Sequence, residues 1–211
     1  MIATLAIRSY EPRDLDALYA ISLATGLAGE DASHFYEDPK LIGEIYSAPY
    51  ALLEPDFVLV AEDSAGVAGY VLGVPDTRAW ARRLEHDWWP ALRARHPDPA
   101  ATPAEMRSPD QRRAFMIHHP ELPPRALTDA YPAHIHMNLL PRLQGRGIGP
   151  RLLAAWIERA RSAGVTAAHI GTNRANQRAS GFWRSQGFEE LGLPEEAPTR
   201  TLWLGRRFVG P

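Results

Sequence analysis

The sequence predicts an α/β (α+β) chain, with strands and helices interleaved around one sheet. Three observations carry this. A strand-like run, Tyr131 to Leu140, leads through a glycine-rich turn into a helix-like run, Ile148 to Ala163, and then a strand, Val165 to Thr172. A buried apolar run, Phe57 to Ala61, turns at Ser64-Ala65-Gly66 and returns as Val67 to Val74, a hairpin. Apolar residues make up 45% of 211, enough for a substantial core.

The remaining elements follow in order. Thr4 to Arg8 reads as a first strand. Pro12 opens a helix with apolar positions Leu15, Leu18, Tyr19, Ile21 and Leu23, ended near Gly26. A second helix is expected from Ser33 to Tyr46, with Pro39 as a break or a new start. Residues 75 to 130 hold nine of the 19 prolines. Within them Trp80, Leu84, Trp88 and Leu92 recur at helical spacing, and Pro90 sits where that helix would kink. Thr102-Pro103-Ala104-Glu105 and Ser108-Pro109-Asp110-Gln111 each place a hydroxyl, a first-turn proline and an acid or amide where a helix starts. The segment therefore reads as a helical insertion. Its tryptophans suit its own core, and also an aromatic wall beside a ligand. Later, Ile148, Leu152, Leu153, Trp156, Ile157 and Ala160 share one helix face, and Gly164 ends that helix. Ala175 to Gln186 is the last helix, stopped by Gly187, and Thr199 to Phe208 closes the sheet.

Composition narrows the function. Net charge is −2, which argues against a general nucleic-acid surface. There is no cysteine, hence no disulfide, thiolate metal site or cysteine acyl-enzyme. No apolar run is long enough for a bilayer and no signal pattern opens the chain, so a cytoplasmic protein is expected.

The turn itself, Gln144-Gly145-Arg146-Gly147-Ile148-Gly149-Pro150, points backbone amides and a helix N-terminus at one spot, an anion site suited to pyrophosphate. It lacks the lysine of a Walker loop, and its third glycine comes one residue early for the dinucleotide fingerprint. The spacing Gln144-x-x-Gly147-x-Gly149 resembles the signature of the GNAT (GCN5-related) N-acetyltransferases. Asn173 and Asn176, flanking the next helix start, and Trp183-Arg184-Ser185-Gln186-Gly187-Phe188 continue the resemblance. His134-Ile135-His136-Met137-Asn138-Leu139-Leu140-Pro141 is similar to bacterial relatives of the O-GlcNAcase C-terminal acetyltransferase-like domain. The resemblance implies a mixed, mostly antiparallel sheet of about seven strands flanked by helices. It implies one domain over residues 1–211, with the insertion 75–130 lying over the acceptor cleft, and acetyl-CoA as cosubstrate.

It also implies roles for residues. The pantetheine arm would bond the strand backbone at Leu139 and Leu140. The pyrophosphate would meet the amides of Gly145, Arg146, Gly147, Ile148 and Gly149 beside the Gln144 side chain, while Arg146 and Arg151 add charge. Pro150 has no N–H to offer. Asn173, Asn176 and Trp183 complete the coenzyme set. Trp183 stands where the family often has a tyrosine that protonates the thiolate, and an indole is too weak an acid for that; either the thiolate leaves without that acid, or Ser180 or a water serves, or transfer is slow. His134, His136 and Asn138 share a strand face, and either imidazole suits a base near neutral pH. His118 and His119 are surface candidates only. No glutamate completes a histidine metal site, so no metal is expected. The implied function is transfer of an acetyl group to a primary amine of a small molecule or peptide, with no nucleic-acid or membrane partner and a homodimer left open. The alternative is a coenzyme-binding protein without transfer activity.

Overall fold

The computed structural model describes residues 5–192 and 200–208. Thr4 and Thr199, expected to begin the first and last strands, lie outside the described residues. Seven strands form one sheet: β1 (Ala6–Ser9), β2 (Val58–Asp63), β3 (Gly66–Val74), β4 (Ala133–Leu139), β5 (Ala167–Asn173), β6 (Glu189–Glu190) and β7 (Thr201–Arg207), in the order β1-β2-β3-β4-β5-β7-β6. Every neighbouring pair is antiparallel except β4 and β5. That parallel pair holds for only two residues, Ala133 with Ala168 and His134 with His169. Beyond them β4 stays with β3 as far as Leu139, and β5 stays with β7 as far as Asn173. The sheet is thus two half-sheets hinged at one end and open at the other.

Strand alternation sends side chains to two cores. Leu59, Val71, Ile135 and Ile170 join Leu152, Trp156 and Ala160 of α8 (Ile148–Ser162) on one face. Val58, Val60, Tyr70 and Leu72 join α1 (Leu15–Ala24), α2 (Leu41–Tyr46) and α3 (Ala48–Leu53) on the other. The insertion adds α4 (Thr77–Asp87), α5 (Trp89–Arg95), α6 (Pro109–His118) and α7 (Arg125–Ala130), and α9 (Gln177–Ser185) follows β5. No described helix is long and apolar enough to cross a membrane.

Three expectations need correction. The second helix takes the new start expected after Pro39, at Leu41, and ends at Tyr46 as expected, but the stretch from Ser33 is not helical, because side chains capture its backbone. Asp31 accepts from Ser33 N (2.9 Å), Asp38 from Lys40 N (2.8 Å), and Asp110 of α6 from Glu37 N and Asp38 N. The Trp80–Leu92 face is not one helix. Trp88 leaves helical geometry (φ −124°), Pro90 enters the first turn of α5, and Trp89 takes the buried place while Trp88 donates to Glu44 O (2.8 Å). Thr102 caps nothing. A single 3₁₀ turn, Ala104–Met106, follows Pro103, whereas Ser108 and Gln111 form the reciprocal cap of α6.

Candidate functional site

The opening between β4 and β5 is a cleft of about 740 Å³ that reaches both faces of the sheet. One end is formed by the 144–150 turn and α9; the other by α1, α2, Tyr70 and α6.

At the turn end the chain first settles on a 3₁₀ turn, Pro141–Leu143. Gly145 (φ +69°) and Gly147 (φ +71°) are both left-handed, a geometry costly for residues with a Cβ. Gly147 is the N-cap of α8, so the orphan amides of that helix face the cleft mouth. Gly149 is buried for another reason: a Cβ there would lie 3.0 Å from the Phe182 ring. Pro150, the third helical residue, withholds one amide. Gln144 works as a brace. Its Nε2 donates to Leu139 O (2.7 Å), and its Oε1 accepts from Arg178 in the first turn of α9. Leu140 N donates to Ala68 O (2.8 Å) and so faces β3. By antiparallel alternation the backbones of Leu139 and Met137 face the gap instead. Leu140 is therefore turned away from the position expected of it.

Asn176 caps α9 by accepting from Ala179 N (3.0 Å), and its Nδ2 crosses the mouth to Ala28 O (3.2 Å). Asn173 accepts from Ala175 N (2.9 Å). Both line the cleft, as does Arg178, which sequence reasoning missed. Its signal was available: it lies two residues after a helix-capping asparagine. Arg146 and Arg151 are exposed and are absent from the lining.

The three polar residues of β4 differ sharply in their surroundings. Thr77 has one hydroxyl hydrogen, donated to the Pro132 carbonyl (2.8 Å). His134 Nδ1–H must therefore donate to Thr77 Oγ1 (2.8 Å), and Tyr50 donates to His134 Nε2 (2.7 Å). His134 is buried, neutral and fully occupied, with its pKa pushed well below the usual imidazole range by burial and then by its neighbours His136 and His169. His136, two residues on, lines the cleft and has no hydrogen bond among the described residues. Burial, then the nearby His169, lowers its pKa to about 4. Asn138 donates to Thr25 Oγ1 (2.5 Å), which donates to Ile21 O (2.7 Å), so Asn138 Oδ1 takes no protein donor among the described residues.

Other candidates fall away. Trp183 lines the cleft but packs edge-on against Phe182 and Phe188, centroids 5.3 and 5.0 Å apart. Ser180 is buried, donates to Gln177 O (3.1 Å) and does not line the cleft. The Tyr70 hydroxyl hydrogen is committed, through Ser22 and Ser47, to Gly43 O. His118 donates to His96 O and His119 bonds Asp98, both away from the cleft. None of the insertion tryptophans lines it either. Asp38, Glu44 and His96 have ligand-like spacing, but Glu44 already pairs with Arg95 (2.7 Å).

The acetyltransferase (GNAT) family model matches residues 15–188. Among solved structures, SsHAT is 36% identical, with a TM-score of 0.88 over 98% of this chain and 100% of that one. A ribosomal-protein-alanine N-acetyltransferase from Brucella melitensis is 21% identical, with a TM-score of 0.54 over 96% and 99% of the two chains. The yncA protein of Salmonella typhimurium, solved with its cofactor acetyl-CoA, is 16% identical, with a TM-score of 0.56 over 97% and 94%.

Proposed function

Since the chain belongs to the acetyltransferase (GNAT) family, whose acetyl donor is acetyl-CoA, we propose that it transfers the acetyl group to a primary amine, with the donor at the turn end of the cleft and the acceptor at the His136 end. One observation carries this reading: β4 and β5 part after two residue pairs, and the parted strands lead from an amide-rich helix start to an unoccupied imidazole.

The coenzyme fits what lines the turn end. Amides of Gly145 to Gly149 and the Arg178 guanidinium suit a pyrophosphate, and the gap-facing backbone of Leu139 and Met137 suits the amides of a pantetheine arm. Gln144 acts by holding both sides rather than by touching phosphate alone.

His136 sets the order of proton moves. An imidazole with a pKa near 4 is about 6 units below an alkylammonium, so deprotonating a bound ammonium would cost ~8 kcal/mol. The acceptor therefore enters as free amine. Its nitrogen attacks the thioester carbon, forming the C–N bond. The adduct nitrogen, now positive and far more acidic, gives its proton to His136. The imidazolium is a strong acid beside a thiolate, whose thiol pKa is about 8.5, and returns that proton as the C–S bond breaks. One residue then supplies both transfers, and Trp183 is not needed as an acid. Asn138 Oδ1 accepts from the amine and orients it. His134 holds the strand and takes no part in the proton transfers.

Coenzyme A release with an amine panel tests the reading. Turnover should rise with pH in proportion to free amine. Acetyl-CoA at about 100 times its dissociation constant should stabilise the protein by ~2.7 kcal/mol. No rise in Tm at millimolar acetyl-CoA would sink the reading; tight binding without turnover would leave a coenzyme-binding protein.

A further inference from the structure

The far end of the cleft holds a cation that the transfer chemistry does not use. Arg113 lies in the second turn of α6, half-buried, and lines the cleft. Its Nε donates to Tyr36 OH (3.1 Å), and its Nη1 to Tyr46 OH (2.9 Å) and Met116 Sδ (3.2 Å). A guanidinium has five N–H donors, so the two on Nη2 have no protein acceptor among the described residues. Nor does any described carboxylate lie within 4.0 Å of it, although Arg8, Arg83, Arg93 and Arg95 each have one. Two phenols supply dipoles and ring faces, at 6.0 and 5.5 Å, but no counter-charge.

The surroundings extend the imbalance. None of the described residues lining the cleft is aspartate or glutamate, while Arg113 and Arg178 both line it. Arg178 serves the end where a pyrophosphate belongs. Arg113 stands at the other end, and Tyr46 bridges it to His136, the Tyr46 and His136 rings 6.3 Å apart. A half-buried cation without an anion is costly unless its ligand brings one.

We propose that Arg113 is a specificity residue and that the acceptor is an amine that also carries an anionic group, carboxylate or phosphate, held on Nη2 with the amino nitrogen directed to His136 and Asn138. This rests on the transfer reading above and names its substrate class. It also excludes polycations: polyamines and aminoglycosides would meet Arg113 with like charge and find no carboxylate in the cleft.

Matched pairs test it. Coenzyme A release is measured with β-alanine against β-alaninamide and with phosphoethanolamine against ethanolamine, spermidine serving as the polycation, and rates are referred to the free-amine fraction. The anionic member of at least one pair should be favoured about 10- to 100-fold in kcat/KM, the range of a charge-assisted hydrogen bond. The pair that responds identifies carboxylate or phosphate. Arg113→Gln should bring the ratio to within about 3-fold, mainly through KM, with acetyl-CoA affinity unchanged; Arg113→Lys should keep part of it. Preference for neutral or cationic members, or an equal loss on both members in Arg113→Gln, would overturn the assignment. If Arg113→Gln does not fold, the wild-type ratio and Arg113→Lys decide. If no amine turns over, calorimetry with the coenzyme A-loaded protein separates the two claims. Selective binding of anionic members would uphold Arg113 while the transfer reading fails, and no selectivity would overturn both.

Discussion

The two ends of the cleft are made from different parts of the chain. The turn end is nearly contiguous: Leu139, Gln144 and the glycines lie within eleven residues, and α9 adds Arg178 from one strand further on. On the proposed reading it recognises through backbone amides, and it depends on φ values that only certain residues adopt. The far end draws Thr25 from the end of α1, Tyr46 from α2, Arg113 from α6 and His136 and Asn138 from β4. The Asn138–Thr25 bond alone spans 113 positions. Side chains line that end, and what each can do depends on distant partners. A shared ligand can thus be bound by a local motif, while the ligand that varies is met by tertiary assembly.

The sharpest break between the two ends is Gly147→Asp. Its carboxylate would stand where the pyrophosphate belongs, and acetyl-CoA binding should be lost by calorimetry. Gly147→Asn carries a similar left-handed strain without the charge and should keep measurable binding. Equal losses would mean that shape, not charge, decides the turn.

His136→Ala tests the other end. It should lower kcat about 10²- to 10⁴-fold with acetyl-CoA affinity unchanged, as expected for a lost proton-transfer group. Unchanged kcat would return the proton transfer to water.

Acid should unfold the protein through its histidines. His134, His136 and His169 are held neutral by burial, the latter two with pKa values near 4. The unfolded chain protonates them near 6.5, so below that pH it binds more protons than the folded one, and stability falls as pH drops from 6.5 towards 4. A Tm that stays flat to pH 5 would contradict this.

Tyr50→Phe should affect stability alone. It leaves the buried His134 Nε2 without its donor, costing about 1–3 kcal/mol in urea unfolding, with coenzyme affinity unchanged. The smallest effect compares two arginines at the turn end. Arg178→Ala should weaken acetyl-CoA about 10-fold in a salt-dependent manner, and Arg151→Ala, exposed and outside the lining, less than about 3-fold. The reverse order would move the phosphate to the other side of the turn.

Much of the fold was legible because turns punctuate it. Gly66, Gly164 and Gly187, all at positive φ, stand where the sequence places element ends. The capping pair Ser108 and Gln111 was readable for the same reason, being local. The first part of the helix expected from Ser33 failed because Asp31 and Asp38 nearby, and Asp110 more than 70 positions away, capture its backbone. The amphipathic run through Trp88 breaks into two helices, near the kink expected at Pro90, because periodicity does not register that Trp88 leaves helical geometry.

His134 and His136 are the clearest limit. Alternation places both on one face, and nothing in their neighbours distinguishes them. Tyr50 and Thr77, 84 and 57 positions away from His134, occupy both its nitrogens and leave His136 facing the cleft. Arg113 was likewise one arginine among many until the insertion placed it beside two phenols and no acid. By itself the sequence determined the glycine turn, the helix start behind it and most of the succession of strands and helices along the chain, because backbone conformation is set largely by residues a few positions apart. Only the tertiary structure decided which imidazole is free, which arginine faces the cleft beside two phenols and how far two strands part, because burial and pairing are properties of the residues that folding brings together.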